Sequence, residues 1–113
     1  MNINTSFKSE TFESFKKGEE AAFTYFYDKY FRRITSFCVQ FIYDADEAEN
    51  LAQEAFINLW QNRENIDSLN GIQSFLYTYA KSKCLNFIRH NKVKDKFKND
   101  LLNHKERELD IEV

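Results

Sequence analysis

The sequence has few of the residues that break or cross-link a chain. It contains no proline and only two glycines, Gly18 and Gly71, among 113 residues. A β-rich fold of this length needs many tight turns, so this scarcity favours long helices. Two cysteines, Cys38 and Cys84, lie in apolar helical patterns. We interpret them as buried free thiols and not as a secreted disulfide scaffold.

Signals for catalysis, cofactors and membranes are also scarce. The chain has no glycine-rich phosphate loop, and His90 and His104 lie fourteen residues apart, outside any familiar metal-ligand spacing. We therefore predict no metal, no cofactor and no enzymatic activity. No segment reaches the roughly 18 apolar residues of a membrane span, and the first ten residues lack the apolar core of a signal peptide. We expect a cytoplasmic protein without membrane attachment.

What the sequence does contain is helical periodicity. Apolar residues make up 42% of the chain and aromatic residues 17%, which is enough for one small core. Apolar positions recur at three- and four-residue spacing in three long segments. The sequence therefore predicts an all-α fold, a compact bundle of three main helices. The segments run from about Glu19 to Tyr43, from Asp44 to Gln61 and from Ile72 to Asn91.

Shorter elements are predicted beside the three main helices. We expect a short N-terminal helix from about Ser9 to Lys17, ended by Gly18, and an N-cap role for Asp44. The segment from Arg63 to Gly71 is predicted to be a loop. Residues 92–113 are expected to be a helical continuation or a frayed tail, because their end alternates charged with aliphatic residues.

The outward side of the predicted helix that begins at Asp44 is unusual for a solvated surface. It carries amides and one isoleucine where lysines and glutamates are more common. Amides make directional hydrogen bonds and an exposed isoleucine loses water on docking, so this side suits a protein partner. A stray exposed apolar residue is the simpler alternative. The residues concerned are Asn50, Gln53, Glu54 and Ile57.

Charge is divided unevenly along the chain. Residues 1–70 hold seven lysines and arginines against twelve acidic residues, a net charge of −5, whereas residues 71–113 hold nine against six, a net charge of +3. The densest block, residues 81–98, suits an anionic partner such as nucleic acid or a membrane surface. It lacks the broad Trp and Leu face of a membrane helix. A solvated helix face is the remaining alternative.

The last of the three main helices places several groups outward that suit nucleic acid. Lys81 and Arg89 are two turns apart on one side, where they could neutralise successive phosphates. Ser82 and Asn86 could hydrogen-bond to the backbone or to base edges. Tyr77 could stack on an unpaired base, with partial burial in the core as the alternative.

Three segments resemble a known family. AENLAQEAFINLW, residues 48–60, resembles a signature of region 2 in bacterial sigma factors of the extracytoplasmic-function (ECF) type, roughly A-E-D-L-x-Q-E-x-F-x-x-L-W, with Asn50 in place of Asp. SFLYTYAKSKCLNFIR, residues 74–89, resembles a second motif, with Phe75, Ser82 and Asn86 in place of Trp, Asn and Asp. AFTYFYDKYFRRITSF, residues 22–37, resembles the opening helix of that region.

The resemblance implies a role for each outward face. The family's helix matching residues 44–61 docks on a coiled coil of the largest RNA polymerase subunit, which assigns that contact to the amide and isoleucine side described above. The helix matching residues 72–89 and the loop before it recognise and melt the promoter −10 element, with cations on phosphates and the loop holding a flipped base. The resemblance assigns Lys81, Lys83 and Arg89 to phosphates and Ser68, Leu69 and Asn70 to the flipped base. Together with Tyr77, Ser82 and Asn86 from the argument above, they form the predicted DNA-binding set.

The resemblance also implies an organisation and a set of partners. Residues 1–91 would form the region 2 domain, and residues 92–113 a C-terminal extension or the start of a linker to a missing second domain. The partners would be core RNA polymerase, promoter DNA and an anti-sigma protein, and the polymerase would carry out the chemistry. A helical protein-interaction adaptor without DNA binding, whose basic block is a solvated face, is the alternative function.

Overall fold

Over the residues that the computed structural model describes, 3–91 and 96–111, the chain forms five α-helices and no β-strand. This confirms the all-α prediction. Side chains are described for residues 7–91 and 99–111. The helices are α1 (Ile3–Lys16), α2 (Glu20–Ile42), α3 (Ala45–Gln61), α4 (Leu69–His90) and α5 (Lys96–Ile111), with a short 3-10 turn at Arg63–Asn65.

The junctions between the first three helices follow from local backbone chemistry. Gly18, after α1, has a positive φ of 91°, which glycine adopts without steric penalty. Tyr43, after α2, takes a left-handed φ of 56° at a cost of about 1–2 kcal/mol. The side chain of Asp44 accepts a hydrogen bond of 3.0 Å from the backbone N–H of Glu47. The predicted N-cap of α3 is therefore confirmed.

Helices α2, α3 and α4 pack around one apolar core, and α1 covers part of it. No polar or charged side chain is buried among the described residues. Burying each core phenylalanine stabilises the fold by about 1.5–3 kcal/mol. No described helix is both long and apolar enough to cross a membrane. The largest fully buried side chains include Phe15, Phe26, Phe41 and Phe56.

Two predicted helix starts are wrong. Helix α1 begins at Ile3 and not near Ser9, and α4 begins at Leu69 and not at Ile72. The predicted loop before α4 is therefore shorter, and part of it is the 3-10 turn. The Oγ of Ser68 accepts a hydrogen bond of 3.2 Å from the N–H of Gly71, so this serine is the N-cap of α4. Gly71, which suggested a loop, therefore lies in the first turn of α4, because the Ser68 cap starts the helix before it.

The C-terminal helix α5 lies against α2 and α4. Leu102 and Leu109 are buried, and the Nζ of Lys105 lies 6.0 Å from the ring centroid of Phe41 and 5.5 Å from that of Tyr43. Of the two alternatives predicted for the C-terminal part, the helix is therefore the one observed over residues 96–111. Residues 92–95, which the prediction also covered, lie outside the described residues.

Candidate functional site

The outward side of α3 is open to solvent, as predicted. Asn50, Gln53 and Glu54 are exposed, and Ile57 is 56% exposed. Within the described part of the chain, no side-chain hydrogen bond or ion pair holds any of the three polar residues. These four side chains are therefore free to meet a partner, and their binding role stays a prediction.

A groove between α2 and α3 extends the apolar surface around Ile57. Its volume is about 410 Å³. The rings of Phe23 and Trp60 meet edge to face with centroids 5.2 Å apart, and the guanidinium of Arg63 lies 4.4 Å from the Trp60 ring. Periodicity assigns both aromatic residues to the core, but each is only half-buried. An apolar groove with a polar rim is typical of protein docking surfaces. The groove is lined by Glu20, Phe23, Thr24, Ile57, Trp60 and Gln61.

A second concave region, a cleft of about 620 Å³, lies where the 3-10 turn meets α4. The rings of Phe75 and Tyr79 lie nearly parallel in it, with centroids 6.4 Å apart and planes 13° apart. The Nδ2 of Asn58 donates a hydrogen bond of 3.0 Å to the Tyr79 hydroxyl, which fixes that ring from α3. An aromatic surface with a polar rim can receive a planar ligand such as an unpaired base. The rim includes Asn65, Asp67, Ser68, Ser74, Thr78 and Ser82.

The residues assigned to the flipped base are only partly brought together. Ser68 lines the cleft with its Oγ engaged in the α4 cap. Leu69 is half-buried and packs on the core. Asn70 lies in a neighbouring cleft of about 360 Å³, together with Tyr77. Tyr77 is half-buried, with its ring edge to face on Phe37 at 5.3 Å, so the predicted partial burial is observed. Because Tyr77 also lines this cleft, its stacking on a base stays a prediction.

The cations assigned to phosphates differ in their surroundings. Lys81 is half-buried and has no ion pair within the described residues. The Nζ of Lys83 lies 5.4 Å from the ring centroid of Tyr79, at the edge of the cleft. The Nε of Arg89 donates a hydrogen bond of 2.9 Å to the Glu106 carboxylate of α5. A phosphate at Arg89 would therefore have to displace a carboxylate.

Sequence reasoning missed the aromatic part of the cleft. Phe75 and Tyr79 share the apolar stripe of α4, so periodicity assigns them to the core. Asn58 is an amide on the mainly apolar side of α3, and a tyrosine hydroxyl at such a boundary needs a polar partner. An amide on the apolar side of α3 together with a tyrosine on the apolar side of α4 could have indicated that these two helices meet at the edge of the core. Of the remaining assigned residues, Ser82 lines the cleft and Asn86 is exposed.

The shifted titratable groups lie in the core and on α5. Burial raises the pKa of Tyr30, and the nearby Arg33 guanidinium opposes that shift. A hydrogen bond with Cys38, together with burial, raises the pKa of the Cys84 thiol. On α5, the Lys105 ammonium lowers the pKa of Glu108 through a hydrogen bond. Within the described residues, no three His, Cys, Asp or Glu side chains are grouped so that they could hold a metal ion.

A comparison with known families identifies the fold. Residues 26–93, more than half of the chain, match the sigma-70 region 2 family. The chain therefore belongs to the sigma-70 region 2 family, and the resemblance seen in the sequence motifs is confirmed.

Two curated relatives are similar over the same part of the chain. The ECF RNA polymerase sigma factor SigW of Bacillus subtilis is 34% identical over 77 residues, which is 68% of this chain and 41% of that protein. The RNA polymerase sigma-H factor of Pseudomonas aeruginosa is 32% identical over 76 residues, 67% of this chain and 39% of that protein. The match thus spans about 40% of the length of each relative. No solved structure matches this chain.

Proposed function

We propose that this chain is the region 2 part of an ECF-type sigma factor. It binds core RNA polymerase through the outward side of α3, and it recognises and melts the promoter −10 element through α4 and the cleft at the start of that helix. The observation that carries the proposal is the family match together with two separate outward faces, one apolar and amide-rich, the other aromatic and cationic. Family membership also argues against the alternative of an adaptor without DNA binding.

The polymerase contact is proposed to lie on the exposed side of α3. Gln53 and Glu54 would hydrogen-bond to basic and polar groups on a coiled coil of the largest subunit, and Ile57 would lose water beside them. Asn50 supplies an amide where the family motif has a carboxylate. A lost charge-assisted hydrogen bond weakens docking by about 1–2 kcal/mol. The apolar groove beside Ile57 offers contact area that offsets this loss.

The DNA contact is proposed to combine stacking with phosphate neutralisation. Extracting one base from a duplex costs on the order of a few kcal/mol. Stacking it on the Phe75 and Tyr79 rings returns about 1–3 kcal/mol. The remainder must come from cations, such as Lys83 at the edge of the cleft and Lys81 on the same helix. Each cation on a single-strand phosphate contributes about −0.7 to the slope of log affinity against log salt. The melted strand is therefore expected to bind in a strongly salt-dependent way.

The organisation of the protein is part of the same proposal. Residues 1–91 form the region 2 domain, and residues 92–113 form a C-terminal extension or the start of a linker to a second domain. The packing of α5 on α2 and α4 supports an extension that is docked on the bundle. The polymerase carries out the chemistry in the cytoplasm, so this chain is not an enzyme. An anti-sigma protein that covers one or both faces is the further partner expected.

Capture of core polymerase and binding of single-stranded −10 oligonucleotides test this proposal together. Gln53→Ala combined with Glu54→Ala should abolish capture of the polymerase and leave oligonucleotide binding unchanged. Lys81→Ala combined with Arg89→Ala should abolish binding of the oligonucleotide and leave capture of the polymerase unchanged. Circular dichroism should be unchanged for both variants, because all four side chains lie outside the buried core. A wild-type chain that captures polymerase but binds no single strand would favour the adaptor.

A further inference from the structure

The outward side of α2 carries cations that neither face uses. Lys29 is half-buried, and Arg32 and Arg33 are exposed. With Asp28 and Ser36 they line a shallow concavity of about 730 Å³. Three cations against one carboxylate give this concavity a positive charge, within residues 1–70, whose net charge is −5. The cluster is therefore not a by-product of the local composition.

The three cations are not neutralised within the protein. None of them forms an ion pair with a carboxylate of residues 7–91 or 99–111. Asp28 and Arg32 are four residues apart, a spacing that allows a pair on a helix, and yet they do not form one. The guanidinium of an arginine presents five hydrogen-bond donors in a fixed plane. Those of Arg32 and Arg33 are therefore available to an external anion.

Aromatic rings hold two of these cations in place. The Nζ of Lys29 lies 5.4 Å from the ring centroid of Tyr30 and 5.9 Å from that of Tyr25. The guanidinium of Arg33 lies 5.9 Å from the Tyr30 ring. Phe7 of α1 packs edge to face on Tyr25 at 5.7 Å and is itself 54% exposed. Tyr30 is buried, so its ring supports Lys29 and Arg33 from the core side, whereas the Tyr25 ring beside Lys29 is partly accessible. A cation next to an accessible ring is typical of surfaces that bind single-stranded nucleic acid.

The position of this cluster links it to α4. Phe37 lies one helical turn after Arg33 on α2, and its ring contacts the Tyr77 ring of α4 at 5.3 Å. One turn of helix is about 5.4 Å along the axis, and packed helices lie about 8–10 Å apart. A strand that occupies the cleft holding Asn70 and Tyr77 therefore needs little further length to reach the cations of α2.

We propose that Lys29, Arg32 and Arg33, here called the α2 tract, bind the phosphates of the same single DNA strand whose bases are captured on α4. The inference rests on the proposed function and extends it to a surface outside the two faces described. Arginine matches phosphate oxygens in a bidentate geometry, and such contacts fix the path of a strand without reading its bases. An acidic protein segment is the competing occupant, and the experiment below distinguishes it.

Fluorescence anisotropy with the full chain and labelled oligothymidylates of about 6 and about 20 nucleotides tests the tract, because stacking and phosphate contacts tolerate any base. Arg32→Gln combined with Arg33→Gln should weaken binding of the longer strand about five- to tenfold at low salt. Its slope of log affinity against log salt should fall by about 1.4, or about 0.7 per cation removed. The shorter strand, which α4 alone can hold, should change less than about twofold.

The matched control is Lys16→Gln combined with Lys17→Gln, which removes the same charge at the end of α1. Equal losses in the two double variants would overturn the inference, because the effect would then be one of net charge. Loss of polymerase capture with DNA binding unchanged would also overturn it, since the tract would then be a protein interface. Thermal melting checks that every variant is folded.

A further pair of substitutions separates this inference from the proposed function. Lys81→Gln combined with Lys83→Gln should weaken both strand lengths. If it does so and the α2 variant weakens neither, the tract is refuted and the proposed function stands. If only the α2 variant weakens the longer strand, the assignment of DNA to α4 fails, and the shared strand path proposed here fails with it, although α2 itself would bind DNA. A wild-type chain that binds neither length refutes both.

Discussion

The outward faces of α3 and α4 differ in how far their side chains are already engaged. On α3, Asn50, Gln53 and Glu54 have no side-chain partner within the described residues, and Ile57 is exposed. On α4, three of the assigned groups make internal contacts: Tyr77 with Phe37, Lys83 with Tyr79, and Arg89 with Glu106. If the two faces bind as proposed, the α3 face would dock without losing internal contacts, whereas the α4 face would exchange some of its internal contacts for a ligand.

This difference affects how readily the chain should bind the polymerase and the DNA. An exposed cation–π contact contributes about 0.5–1 kcal/mol, and an exposed ion pair about 0–1 kcal/mol. Releasing Lys83 and Arg89 therefore costs on the order of 1–2 kcal/mol, up to about tenfold in affinity. Docking on α3 carries no such cost. The chain is expected to bind polymerase more readily than DNA.

The largest effect is expected from Ile57→Asp on the α3 face. A charge buried at the centre of a docking surface should weaken capture of core polymerase by about 2–3 kcal/mol, or at least about 30-fold. Stability should change by less than about 0.5 kcal/mol, because the residue is 56% exposed. Gln40→Asp, which adds the same charge at an exposed position of α2, should leave polymerase capture unchanged. Equal losses in both variants would show that Ile57 is not part of the interface.

A smaller effect is expected from Tyr79→Phe in the cleft. The change removes the hydroxyl that accepts from Asn58 and keeps the ring beside Phe75. The free energy of unfolding, measured with urea, should fall by about 1 kcal/mol. Binding of single-stranded DNA should be unchanged, because the ring supplies the stacking surface. A large loss of DNA binding would mean that the hydroxyl itself contacts the base.

Glu106→Gln removes an internal contact of the α4 face and should therefore raise its affinity for DNA. It weakens the internal ion pair of Arg89, so single-strand affinity should rise about two- to threefold, while polymerase capture stays constant. Glu108→Gln is the matched control on the same helix, since that carboxylate contacts His104 and Lys105. An equal rise in both variants would point to net charge and not to release of Arg89.

The smallest effect is a pH dependence of α5. The pKa of Glu108 is lowered by its hydrogen bond to Lys105, so its stabilisation is present at neutral pH and is lost as pH falls through the folded-state value. The pKa of Lys105 is raised by the same pair, so its part is lost as pH rises past the lysine range. Hydrogen exchange of α5 amides should speed up slightly at both extremes relative to α3. Glu108→Gln should remove the increase in exchange at low pH. An increase that persists in this variant would contradict the role given to the Glu108 carboxylate.

Sequence periodicity was sufficient to predict the limits of the helices that carry broad apolar stripes. The limits of α2 and α3 follow from the stripe and from the Asp44 cap, which are local features. The start of α4 was misplaced because Ser68 to Gly71 has the composition of a turn, although the serine caps a helix. Among the side chains described for α5, residues 99–111, Leu102 and Leu109 are the buried ones, and two leucines form a stripe too narrow to predict docking from one sequence.

The candidate site was predictable only in part, for a related reason. Periodicity tells which way a residue points from its own helix, but not how deeply the neighbouring helices cover it. Phe75 and Tyr79 therefore seemed to be core residues although they border a cleft. The pair between Arg89 and Glu106 joins residues 17 apart on different helices, which no local rule specifies. The exposed face of α3, which depends on one helix alone, was predicted correctly.

The most direct test of two separate faces is photo-crosslinking in one assembled complex of this chain, core polymerase and a DNA duplex with a preformed bubble. A photoreactive residue in place of Gln53 should crosslink to a polymerase subunit and not to DNA. The same residue in place of Thr78, at the cleft on α4, should crosslink to the unpaired strand and not to the polymerase. Crosslinks from both positions to the same partner would contradict the account.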